Sequence, residues 1–148
     1  MSGVKIKIGF ADLQALDIKI EALMGRLRDT ESLMDEIGSY AATAARRRFE
    51  TNIGPDDEEW TPSGRALAQS GRTLVDRGHL RDSVTHLASP TEAVIGSNVV
   101  YAAIHQFGGK AGRGLKTTMP SRPYLGLSVE DEAEIHDIVL DWMRGAVQ

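Results

Sequence analysis

The sequence contains no cysteine. That absence removes thiol nucleophiles, disulfides and cysteine-based zinc sites together, and it suits a chain kept in a reducing cytosol. Positive charge is not in excess either: 17 Lys and Arg stand against 21 Asp and Glu, for a formal charge of -4. This excludes coating of nucleic acid by bulk charge, because phosphate binding needs a concentrated positive surface. A local basic patch remains open. No apolar run approaches the roughly 20 residues of a membrane span, and MSGVKIKIGF at the N-terminus lacks the apolar centre of a signal peptide. A soluble chain with no membrane partner, which stays where it is made, is expected.

The motifs of common catalysts are missing too. His79, His86, His105 and His136 are scattered, without the i, i+4 pair or the HExxH pattern that would let two imidazoles share a metal. GRALAQSGR and IGSNV lack the GxSxG elbow of a serine nucleophile. GGKAGRG has glycines and cations but not the Walker spacing, and the prolines of KTTMPSRP make a poor helix start after it. Asp56, Asp57, Glu58 and Glu59 lack the alternating ligands and central glycine of an EF-hand, so they read as a solvated acidic surface. No cofactor is expected.

What is present predicts one α+β domain, since 148 residues bury a core without staples. Val4, Ile6, Ile8 and Phe10 alternate with polar positions, the period of a strand with one buried face. Leu13, Leu16, Ile20, Leu23 and Leu27 then follow helical spacing, and the register continues through Met34, Ile37, Ala41 and Ala44. One long helix fits, and so does an N-terminal helical hairpin broken at Asp29-Thr30. A continuous helix of about 40 residues exceeds the usual length, which favours the hairpin. Phe49, in phase with Ala41 and Ala45, should enter the core. Arg46, Arg47 and Arg48 step about 100° around the axis and cannot share one partner. They suit the negative end of the helix dipole and are a weak nucleic-acid signal.

Residues 54 to 72 read as a long loop pinned by Trp60. LVDRGHLRDS is at most a short helix. SVTHLAS and EAVIGSN predict a β-hairpin turning at Pro90-Thr91, with Val84, Leu87, Val94 and Ile95 as its apolar contacts. In VVYAAIHQFGG, Tyr101, Ile104 and Phe107 supply apolar surface to lock the segment down, and Gly108-Gly109 permit an abrupt change of direction. His105 has two readings: a catalytic or metal-binding group with partners from elsewhere, or a half-buried or interface histidine. The intermediate burial preference of histidine favours the second. Residues 109 to 119 form a long glycine- and lysine-rich loop, a kind that is usually functional or orders against a partner. Arg122-Pro123-Tyr124 is conformationally restricted. Ser128 and Asp131 make a capping box before a last helix that packs Ile135, Ile138, Val139 and Trp142.

Taken in order, RRRFETNIGPDDEEWTP, LVDRGHLRDSV, EAVIGSNVVYAAIHQFGG and MPSRPYLGLS resemble the phage virion morphogenesis, or tail completion, family of Mu-like phages and prophages. The likeness runs over about residues 33 to 140. The family usually carries Pro-Asp-Gly where this chain has Pro55-Asp56-Asp57. The resemblance implies a non-enzymatic virion protein, assembled in the bacterial cytoplasm, at the neck or head-proximal tail end. It also implies a curved antiparallel sheet between N-terminal helices and a C-terminal helix. The implied partners are further copies in a ring, a hexamer being the expected count, and other neck and tail proteins. Tyr101, His105, Phe107, Gly108, Gly109, Arg122, Pro123 and Tyr124 are the interface candidates. A ring around DNA would offer Arg46, Arg47, Arg48, Lys110, Arg113 and Lys116 for non-specific contact in the channel. A capsid-assembly factor absent from the finished virion, and a metal-dependent hydrolase using His105 with the acidic loop, are the alternatives.

Overall fold

The computed structural model describes residues 3–9, 30–75 and 78–147. Strands β1 (Val4–Gly9), β2 (Thr85–Ala88) and β3 (Glu92–Ser97) form an open antiparallel sheet in the order β1-β3-β2. Alternation puts Val4 and Ile8 of β1 and Ala93 and Ile95 of β3 on one covered face. Across that face lies helix α1, Thr30–Thr51. Its Leu33, Met34, Ile37, Ala41, Ala45 and Phe49 are all buried, at steps of one turn.

Three short helices follow in the connections: α2 (Gly64–Gln69), α3 (His79–Ser83) and α4 (Ala102–Phe107). A second sheet is a bare hairpin of β4 (Gly109–Ala111) and β5 (Thr117–Met119), turned by a 3-10 segment at Arg113–Leu115. Helix α5, Val129–Val147, packs on α1 through Ile135 and Val139, with Ile138 and Trp142 partly buried. The capping box forms as the residues dictate. Asp131 N–H donates to Ser128 Oγ at 3.1 Å, and Ser128 N–H donates to Asp131 Oδ2 at 3.0 Å.

Several expectations are corrected. The described N-terminal element is a strand and not a helical hairpin, because β1 pairs along its whole length with β3, from Val4 with Ser97 to Gly9 with Glu92. The apolar stripe Leu13 to Leu27 lies outside the described residues. In place of one curved sheet there are two small sheets, neither curled nor closed. Three short strands are too few to close on themselves, and α4 separates β4 and β5 from the first sheet. The loop expected over 109 to 119 is that hairpin, and the loop expected over 54 to 72 contains α2. Leu87 faces outward at 59% exposure, while Val84 and Ile95 are fully covered.

Candidate functional site

The two motif-bearing stretches meet. After β5 the chain runs as a strap, residues 120 to 126, between α4 and the C-terminal end of α1. Gln106, whose role was not legible in the sequence, holds it. Its side-chain oxygen accepts the N–H groups of Tyr124 and Leu125, both at 3.0 Å, and its amide nitrogen donates to the Leu125 carbonyl at 3.0 Å. Arg122 N–H donates to the His105 carbonyl at 2.8 Å, and the Tyr124 hydroxyl donates to the Ala102 carbonyl at 2.8 Å. From the other side Trp60 Nε1 donates to the Pro123 carbonyl at 2.9 Å. The Tyr124 ring packs at 5.2 Å from that of Phe49, which meets Trp60 edge-on at 5.6 Å. Burial pushes the Tyr124 hydroxyl well above its ordinary pKa, so it remains a donor.

Gly108 makes the crossing possible. Its φ is +73°, and a Cβ there would sit 2.8 Å from Ser121 N and 2.9 Å from the Met119 carbonyl oxygen. Glycine is required twice over, by conformation and by space. The lock of α4 differs from the one expected. Tyr101 and Phe107 are exposed, at 45% and 69%, and fully buried Ala102 with partly buried Ala103 makes the apolar contact. In a helix, positions 102 and 106 share a face, which turns 101 and 107 away from it.

The arginine run divides in three. Arg46 Nη1 donates to the Val84 carbonyl at 2.6 Å, and Arg47 is exposed. Arg48 is buried. Its Nη1 donates to the carbonyls of Tyr124 at 2.8 Å and Gly126 at 3.1 Å, and its Nη2 pairs with Asp131 Oδ2. Asp131 also accepts from the Tyr40 hydroxyl at 2.9 Å. Burial, and then this hydrogen bond, push Tyr40 up to about 12. Burial pulls Arg48 below its ordinary value, while Asp131 draws it back. Lys110, Arg113 and Lys116 are exposed on the β4–β5 hairpin, and none makes an ion pair among the described residues.

His105 opens on a cleft of about 330 Å³ lined by Ser63, Arg65, Leu80, Tyr101, Met119 and Arg122, with His79 at its edge. Its ring stands edge-on to Tyr101 at 6.0 Å. The Nδ1 atom is buried and has no hydrogen-bond partner. Among the described residues no three His, Asp or Glu side chains gather to hold a metal, and the carboxylates of residues 56 to 59 do not line this cleft. Burial, and then the positive charge of Arg122, hold His105 below its ordinary pKa. The folded state therefore resists a proton that the unfolded chain accepts below about pH 6.5. Stability is lost as pH falls through that value. His105→Gln should lose less than the wild type between pH 7.5 and 5.5 in urea titrations; equal losses would contradict the burial account.

A family model described as the phage virion morphogenesis family matches residues 11–144. The chain is similar to "Mu-like prophage FluMu G protein 2" of Haemophilus influenzae, 35% identical over 139 residues that cover 94% of this chain and 96% of that one. It is also similar to "Putative capsid assembly protein G" of Escherichia phage Mu, 30% identical over 147 residues covering 93% and 94%. No solved structure matches.

Proposed function

The chain belongs to the phage virion morphogenesis family, and from that membership we propose that it forms an oligomeric ring at the neck or head-proximal end of the tail. There it completes the tail for joining to the head. The carrying observation is near end-to-end similarity to the G proteins of a Mu-like prophage and of phage Mu. The chain is a structural protein of Mu-like phage morphogenesis, and the non-enzymatic role fits the use of the motif residues. Arg48, Gln106 and Tyr124 spend their polar groups on internal hydrogen bonds, and Tyr101, Phe107, Gly109 and the hairpin remain for neighbours.

In this reading the protein assembles in the bacterial cytoplasm, stays in the virion, and contacts copies of itself and other neck and tail proteins. Arg47, Lys110, Arg113 and Lys116, being exposed, are the cations that a channel could present to DNA. A second reading has one observation in its favour: the phage Mu relative is named for capsid assembly. Deleting the gene separates the two. The ring reading expects filled heads beside unjoined tails, with the protein present in purified wild-type virions. Defective heads, with the protein confined to precursors, would support the capsid-assembly factor instead.

A further inference from the structure

Among the described residues, the cleft beside His105 is lined by basic side chains and by no acid. Arg122 is only 4% exposed. Its Nε donates to the Thr61 carbonyl at 2.7 Å, and no carboxylate pairs with it among the described residues. A guanidinium so placed has lost much of its hydration, and an acidic ligand would restore what burial removed. The partnerless His105 Nδ1 lies beside it, exposed His79 stands at the rim, and Leu74, Leu80 and Met119 give the floor an apolar body. No Asp or Glu is among the described residues lining the cleft. The chemistry recognised here is a carboxylate on a compact protruding turn.

The same chain carries such a turn on another surface. Asp56, Asp57, Glu58 and Glu59 are all exposed and make no ion pair among the described residues. Their backbone is already set: Gly54 N–H donates to the Glu58 carbonyl at 2.9 Å, Asp57 N–H to the Gly54 carbonyl at 3.1 Å, and Ile53 bridges to Glu59. A rigid turn loses little entropy on docking. Two different, oppositely charged surfaces on one chain are what a head-to-tail contact between identical subunits requires.

We propose that the cleft of one copy receives the acidic turn of residues 56 to 59 from the next copy, Arg122 and His79 meeting its carboxylates. This rests on the oligomeric reading above and supplies its joint. Reversing the turn with Asp57→Lys, Glu58→Lys and Glu59→Lys, or the rim with His79→Glu and Tyr101→Glu, should each weaken self-association on the order of 100-fold in sedimentation velocity. Mixing the two variants should restore assembly, because each then offers the other a complementary surface. All five positions are exposed, and circular dichroism checks that both variants fold. Should the lysine set fail to fold, Asp57→Asn, Glu58→Gln and Glu59→Gln should give a smaller loss in the same direction.

The cysteine-free sequence allows a second test in purified particles. A chain with Glu58→Cys and His79→Cys should form a ladder of disulfide-linked multimers on mild oxidation, and neither single variant should pass the dimer. A wild-type chain that is monomeric in solution, together with a double-cysteine chain that gives no ladder in particles, would sink the ring itself. Assembly that survives both reversals without a ladder would overturn this joint alone, as would reversals that release DNA and leave the oligomer whole.

Discussion

Replacing Asp131 with alanine is expected to lower the free energy of unfolding by about 3 to 5 kcal/mol, the usual result of breaking a buried ion pair from one side. Arg48 and Asp131 are 7% and 6% exposed. Among the described residues, the substitution leaves the covered guanidinium only the carbonyls of Tyr124 and Gly126 as acceptors. It also takes the acceptor from the Tyr40 hydroxyl and half of the capping box from α5. Against a total of about 5 to 15 kcal/mol for a typical domain, that is a large share. Urea unfolding measures it, and Arg48→Ala should cost a similar amount. The double substitution should cost clearly less than the sum, since it strands no charge. Additive losses would mean that the two groups do not depend on each other.

Gln106→Ala is the second large effect. Among the described residues, it removes the one side-chain partner of the N–H groups of Tyr124 and Leu125 and of the Leu125 carbonyl. Each covered polar group left unpaired costs about 1 to 3 kcal/mol, so the three together should cost about 3 kcal/mol or more. Gln106→Glu keeps the acceptor for both N–H groups but sets a carboxylate against the Leu125 carbonyl, and it should recover only part of the loss. A loss under about 1 kcal/mol for the alanine variant would show that the strap is held by other contacts.

Local signals in the sequence were readable where local physics decides the outcome. The alternation of Val4, Ile6 and Ile8 gave a strand, and the polar pair Ser128 and Asp131 gave a helix start. Phe49 fell in the core because its phase with Ala41 and Ala45 follows from helical geometry alone. Long-range partners left no such trace. Arg48 looked like any cation at a helix end, and its partner Asp131 lies 83 positions away. Gln106 passed unnoticed because glutamine has no motif chemistry. Its importance comes from where the strap happens to cross α4.

Two further misreadings have the same origin. The glycine-rich run after Gly109 looked structureless, yet positive φ at Gly112 and Gly114 is what turns β4 into β5 within a few residues. Tyr101 and Phe107 were expected to lock the segment down with their apolar surface. Helical phase turned them outward, and that exposure is what leaves them available to a partner. The candidate site was therefore visible as a region before it was visible as a mechanism.

Native-state hydrogen exchange on the isolated chain tests the central claim most directly. If the strap is an internal clamp that shapes a docking surface, the amides of Arg122, Tyr124 and Leu125 should exchange only with global unfolding, while exposed Arg113 and Lys116 exchange fast. Exchange of all five at the fast rate would contradict the account.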